Sequence, residues 1–335
     1  MTRKFRLGLP KNDRLARATL DFLQACDLKV TQKNPRLYIG HINTMPGLET
    51  WFQRKSDIVR QVREGVLDLG LAGYDTVLEY QGKHDQIVVI HDALGYSHCT
   101  LEIVVPQAWQ DVNTIQDLVR LGQARPKDTP LRVASTYQKS TTQFLADWQI
   151  PHHYLKLDGA VEAAPQMGTA DFIVDIVQTG LTMRENHLKT IEGGEILQSQ
   201  VCLFGNRQAL QDNAALVDMT RQILERIEAH LRAKQHYNLI ANVKGESAEQ
   251  VAKKLHQFTD LAGLQGPTIA PIYPPVYTDE NWFAISVMVK KDRLQTAIQQ
   301  LRQIGGSGVV ALPALFIFDE TPERWQTFKQ TLEVS

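Results

Sequence analysis

The run Asp171-Phe-Ile-Val-Asp175-Ile-Val-Gln-Thr179-Gly180-Leu-Thr182 puts two carboxylates, two hydroxyls and a glycine in one short stretch. Its apolar residues read as a buried strand carrying the aspartates. The Thr-Gly-x-Thr turn that follows reads as the opening of a helix. Such a helix start aims unpaired backbone N–H groups, hydroxyl donors and the positive end of the helix dipole at one point, which suits a phosphate. A carboxylate just upstream would repel that phosphate but suits ribose hydroxyls or a magnesium ion. Together they describe a cradle for a ribose 5-phosphate; the plainer alternative is a strand-turn-helix with a threonine cap.

Ligands of open α/β sheets bind at the carboxyl ends of strands. By that rule Lys11 and Arg14 follow a first strand, Arg54 a strand over Thr50–Phe52, and Gly73 and Asp75 a strand over Leu67–Ala72. Thr136, Lys139 and Ser140 follow Leu131–Ser135, and Asp158 and Glu162 bracket Gly159. Cations from the first lobe would then face the phosphate cradle of the second, as a cleft ligand with several phosphates requires. The plainer roles are a solvated first turn for Lys11 and Arg14, and helix caps for Asp75 and Glu162.

Apolar strands alternate with amphipathic helices up to about residue 235, which predicts mostly parallel sheets with helices on both faces. From residue 236 the order becomes β-α-β-β-α-β, the ferredoxin-like unit typical of small regulatory modules. The expected division is a discontinuous lobe I over 1–104 and 187–235, lobe II over 105–186, a ferredoxin-like (ACT-like) α+β domain over 236–320, and a C-terminal helix or tail over 321–335. No internal repeat is evident.

The 335 residues carry a formal net charge of −1, with 43% hydrophobic and 22% charged residues. That balance gives no reason to expect nucleic acid as a partner. No apolar run is long enough for a membrane span, and no signal peptide is recognisable, so a cytoplasmic protein is expected. Cys26, Cys99 and Cys202 lack metal-ligand spacing and read as reduced structural thiols. The histidines show no paired zinc spacing, and Walker A and G-x-S-x-G motifs are missing.

Taken in order, these segments resemble the ATP phosphoribosyltransferases that start histidine biosynthesis, in the long form with a C-terminal regulatory domain. Leu157-Asp-Gly-Ala-Val-Glu162-Ala-Ala-Pro165, continuing through Gly168-Thr-Ala-Asp171 to Asn186, is similar to the family's longest signature. Lys11-Asn-Asp-Arg14-Leu15, Gly65-Val-Leu-Asp-Leu-Gly-Leu-Ala-Gly73-Tyr-Asp75, Gly266-Pro-Thr268-Ile-Ala-Pro271 and Gly305-Gly-Ser-Gly-Val-Val-Ala-Leu-Pro313 support it. The resemblance implies a two-lobed, periplasmic-binding-protein-like catalytic core that moves a 5-phosphoribosyl group from phosphoribosyl pyrophosphate to N1 of ATP with Mg²⁺. It places Thr179, Gly180 and Thr182 on the 5-phosphate, and Asp175 on the ribose hydroxyls or the metal. Lys11, Arg14 and Arg54 would face pyrophosphate or triphosphate oxygens, with Gly73, Asp75 and Glu162 around ATP. It further implies L-histidine as feedback inhibitor and a homo-oligomer of dimers forming hexamers. The chain departs from the family pattern at Asp13, Gln138, Ala160 and Leu181. Those departures leave open a weak or silent paralogue, or a two-lobed ligand-binding protein serving as a sensor or regulatory subunit.

Overall fold

The computed structural model describes residues 4–11, 14–34, 36–82, 85–157, 159–273 and 281–333; Asp13 and Asp158 lie outside them. The chain forms two compact units, residues 1–220 with 326–335, and residues 221–325.

The larger unit starts with β1 (Phe5–Pro10), α1 (Arg14–Ala25), β2 (Val30–Thr31), β3 (Ile39–Ile42) and β4 (Leu48–Gln53). Next come α2 (Lys55–Arg63), β5 (Leu69–Gly73), α3 (Tyr74–Tyr80) and β6 (Ile87–His91). A second lobe is built from β7 (Cys99–Pro106), α4 (Ile115–Ala124), β8 (Leu131–Ser135), α5 (Gln138–Asp147) and β9 (His152–Lys156). It ends with β10 (Phe172–Val177), α6 (Leu181–Glu185) and β11 (Leu188–Ser199). Then β12 (Val201–Asn206) returns to the first sheet, followed by α7 (Arg207–Asp212) and α8 (Ala214–Ala233), whose residues from 221 onward belong to the smaller unit.

The first sheet has the order β2-β3-β4-β1-β5-β12-β6 and the second β11-β7-β10-β8-β9. In the first sheet β3 runs antiparallel to both β2 and β4. In addition, β12 runs antiparallel to β5 and β6, and β7 to β10 and β11. These last two are the strands that arrive from the opposite lobe. The sheets are therefore mixed rather than mostly parallel, through the β2-β3-β4 edge of the first and the strand each lobe receives from the other. The expected crossings at 104 and 187 shift accordingly: β7 and β11 both belong to the second sheet, and the chain crosses at 92–98 and at Gln200. An apolar strand such as Leu101–Val105 does not announce its sheet. The Leu188–Ser199 strand is hidden in the sequence by Gly193-Gly194 and two breaks in its pairing register.

The lobes also share a local device. Arg6 and Asp68 exchange backbone bonds, Arg6 N–H to the Asp68 carboxylate at 2.8 Å and Asp68 N–H to the Arg6 carbonyl at 3.0 Å. Arg132 and Asp171 do the same at 2.7 and 2.8 Å. In both lobes the aspartate ends a Gly-x-x-Asp segment, Gly65 to Asp68 and Gly168 to Asp171, directly before β5 or β10. The same local arrangement thus recurs in both lobes.

Cores form where apolar faces meet. In lobe I, Ile58, Val59 and Val62 of α2 follow helical spacing and bury against Leu67, Ala72 and Phe204. In lobe II, Leu101, Ile103, Val133, Phe172 and Val174 pack beneath Leu118 and Leu145. The smaller unit contains β13 (His236–Lys244), α9 (Ala248–Leu255), β14 (Thr268–Ile272), β15 (Trp282–Lys290), α10 (Leu294–Gln303) and β16 (Ser307–Pro313). Its antiparallel sheet, β14-β15-β13-β16, has the ferredoxin-like order around a core of Leu239, Val251, Ile285 and Leu301. The last helix, α11 (Glu323–Glu333), stands where a C-terminal helix or tail is expected, and its residues from 326 onward belong to the larger unit. No helix among the described residues is long and apolar enough to cross a membrane.

Candidate active site

The predicted cradle forms a loop between β10 and α6. Its helix starts at Leu181, two residues later than Thr179, and spans only Leu181–Glu185. Gly180 is the N-cap, at φ 68° and ψ 5°. A Cβ there would meet nothing within 4 Å; glycine is needed for the left-handed backbone, not for space. Thr179 and Thr182 are both exposed, and the Thr179 hydroxyl lies 3.4 Å from the Leu181 N–H. The Leu181 side chain is 54% exposed, so this departure from the family contributes its amide to the loop while its alkyl group points outward. Another departure, Ala160, is held at φ 49°, ψ 40° ahead of a single 3-10 turn, Val161–Ala163.

Asp175 lies on β10 below this loop, accepting the N–H of Ile176 at 2.8 Å. Burial is the largest influence and raises its pKa; the Ile176 amide lowers it, the Glu162 charge raises it and the Lys55 charge lowers it. Glu162 and Lys55 therefore bear on the Asp175 carboxyl group with opposite signs. Asp171 behaves differently. Burial pushes its pKa up, but the hydrogen bonds and charge of Arg132 outweigh that and hold it low. Asp171 is a structural anchor.

Lys55, which the sequence reading passed over, reaches between the lobes. Its ammonium lies 3.3 Å from the Tyr137 hydroxyl. That hydroxyl donates to the Asp75 carboxyl group at 2.8 Å. Asp75 also accepts the hydroxyls of Ser199 at 2.6 Å and Thr76 at 2.9 Å, and is 4% exposed. Its carboxyl oxygens are occupied by three hydroxyls, so the structure shows a buried interlobe knot where a nucleotide contact is expected. Gly73 serves the same knot: a Cβ there would come within 2.2 Å of an Asp75 oxygen. Burial first, then the Asp75 charge, drive the Tyr137 phenol far above its usual pKa. It stays a hydrogen-bond donor. A second tie lies nearby, where Glu79 of α3 accepts the Lys139 and Ser140 amides of α5 at 2.8 and 3.1 Å, and the Ser140 hydroxyl at 3.1 Å.

On lobe I, Lys11, Tyr38, Gln53, Arg54 and Asp57 line an open pocket at the ends of β1 and β4. Arg54 occupies the N-cap position of α2 without a side-chain capping bond, immediately before Lys55. Arg14 is exposed as the first residue of α1 and does not line this pocket. Glu162 and Lys55 thus bear electrostatically on Asp175, Lys11 and Arg54 share one pocket, and Asp75 and Gly73 lie in the interlobe knot. Lys55 and Tyr137 carried no motif of their own; the only signal was a second cation beside Arg54 at a helix start.

A family model described as ATP phosphoribosyltransferase matches residues 54–229, and one described as the HisG C-terminal domain matches residues 233–314. The chain belongs to the ATP phosphoribosyltransferase family. ATP phosphoribosyltransferase 1, chloroplastic, of Arabidopsis thaliana is 40% identical over 336 residues, covering 99% of this chain and 82% of the relative. ATP phosphoribosyltransferase of Methanocaldococcus jannaschii is 28% identical over 306 residues, covering 91% and 97%. Among solved structures, the ATP phosphoribosyl transferase (HisG:HisZ) complex from Thermotoga maritima shares the fold at TM-score 0.51. It is 21% identical, with 67% of this chain and 98% of that one covered. As an ATP phosphoribosyltransferase the chain is a pentosyltransferase, and both parts of the long form are matched: the catalytic core and the C-terminal domain.

Proposed function

We propose that this enzyme transfers the 5-phosphoribosyl group of phosphoribosyl pyrophosphate to N1 of ATP, releasing pyrophosphate, as the first step of histidine biosynthesis. The observation that carries the reading is the exposed Thr179-Gly180-Leu181-Thr182 loop with the half-buried Asp175 directly beneath it. The loop's hydroxyls and the Leu181 amide receive the 5-phosphate, and Asp175 receives the ribose hydroxyls. Adenine N1 is unprotonated near neutral pH, so no strong base is required. The barrier lies in the departure of pyrophosphate, whose growing charge is met by Lys11 and Arg54, with Arg14 at the pocket's approach. The Lys55 charge favours the ionised form of Asp175 and would help hold that carboxylate charged when the ribose binds.

Among the described residues no group of three His, Cys, Asp or Glu side chains forms a metal cage. The donors present, Asp175 with Glu162 as its acidic neighbour, suit Mg²⁺, which typically takes one or two carboxylates and completes its shell with water and substrate phosphates. Bound there, it would supply charge stabilisation for the leaving pyrophosphate. L-histidine as feedback inhibitor of the C-terminal domain, assembly as dimers and hexamers, and a cytoplasmic location belong to the same proposal.

The test is a pyrophosphatase-coupled assay with ATP, phosphoribosyl pyrophosphate and Mg²⁺, read by the ultraviolet change of the adenine. Turnover is expected. Thr179→Val should lower kcat/KM roughly tenfold or more, and Asp175→Asn roughly a hundredfold. No turnover by the wild type would overturn the reading, and unchanged variants would overturn the site.

A further inference from the structure

Tyr38 is 55% exposed, yet its backbone is tied down, because its carbonyl accepts the Phe52 N–H at 2.8 Å. It stands beside the ends of β1 and β4, which are joined there by the Lys11 N–H to the Gln53 carbonyl at 3.0 Å. The Lys11 ammonium lies 3.4 Å from the centroid of the Tyr38 ring. Among the described residues, no carboxylate forms an ion pair with Lys11. The acid lining the same pocket, Asp57, pairs with Arg60 instead, at 3.4 Å.

We propose that Tyr38 is a positioning residue whose ring face holds the Lys11 ammonium beside Arg54 as an unneutralised cation, set in place for substrate phosphate oxygens. The inference rests on the reading that Lys11 meets those oxygens. A free lysine side chain loses rotamer freedom whenever it binds an anion, which weakens binding. A carboxylate partner would fix it in advance but cancel its charge and compete with the phosphate. An aromatic face fixes it by quadrupole attraction and brings no counter-charge. The tyrosine hydroxyl has no part in this, so phenylalanine should serve in its place.

The experiment uses the full chain with Tyr38→Leu, Tyr38→Phe, Lys11→Met and the Tyr38→Leu/Lys11→Met double variant. The first readout is the proton shift of the Lys11 ε-methylene, assigned by its loss in Lys11→Met. Ring current should move it upfield in wild type and Tyr38→Phe, and not in Tyr38→Leu. Inorganic pyrophosphate should perturb this signal, with half-saturation roughly 3- to 30-fold higher in Tyr38→Leu. The second readout is phosphoribosyl transfer. Tyr38→Leu should raise KM by a similar factor with little change in kcat, Tyr38→Phe should recover most of the loss, and the double variant should be no worse than Lys11→Met alone. Equal methylene shifts in all Tyr38 variants, equal pyrophosphate half-saturation, a Tyr38→Phe defect as large as that of Tyr38→Leu, or additive losses in the double variant would each overturn the pairing. A wild type without turnover would sink the functional reading alone, since the shift and pyrophosphate titration judge the pairing without catalysis.

Discussion

Asp175 is held where burial disfavours its charge, and two consequences run in opposite directions. Its pKa is raised in the folded state, so the native protein binds a proton more readily than the unfolded chain. Stability therefore falls as pH rises from the ordinary carboxylate range through the raised value, and the loss is complete above it. Asp175→Asn removes the buried charge. The variant should melt at higher temperature than wild type at pH 7 to 8, with the gain shrinking on acidification, while losing turnover. A variant equally or less stable at neutral pH would contradict the burial argument. Tyr137→Phe tests the neighbouring knot. It withdraws one of three donors from the buried Asp75 carboxyl group, which should cost about 1–3 kcal/mol in denaturant titration. Wild-type stability would mean that Asp75 does not depend on the interlobe bond.

At the scale of elements, α5 lacks a capping side chain of its own: its N-cap, Tyr137, makes no capping bond. Glu79 fills that end from α3, bringing a carboxylate to two orphan amides and to the positive pole of the helix. The cap therefore does two jobs, finishing a helix and tying the lobes. Glu79→Gln keeps part of the hydrogen bonding and loses the charge, so a loss of about 1 kcal/mol is expected. Hydrogen exchange should locate the effect, with faster exchange at Lys139 and Ser140 and little change in β10. Uniformly faster exchange would show global weakening instead of a lost cap. The cradle depends on a shorter element still. As α6 has only five residues, its dipole is weak, so the proposed phosphate site would depend largely on the threonine hydroxyls.

For the whole molecule, the two compact units offer a test of regulation. If the ferredoxin-like unit binds L-histidine, the amino acid should raise the melting temperature and inhibit turnover over the same concentration range. A melting shift without inhibition would separate binding from control. Inhibition that competes with either substrate would place the amino acid in the cleft.

Short-range order was legible from the sequence alone. The strand, turn and helix around Asp175 to Thr182, the ferredoxin-like order after residue 236 and the family could be read because strand-turn-helix patterns and cap residues act over a few neighbours. Tertiary structure alone decided which distant groups meet. Nothing local marks β7 as a strand for the second sheet, or Asp75 as the acceptor of hydroxyls from Tyr137 and Ser199, residues far away in the chain. Nor does any spacing reveal that Lys55 acts on Asp175, or that Arg6–Asp68 and Arg132–Asp171 repeat one another. Such pairings are settled by packing and strand pairing across the folded molecule rather than by neighbours in sequence.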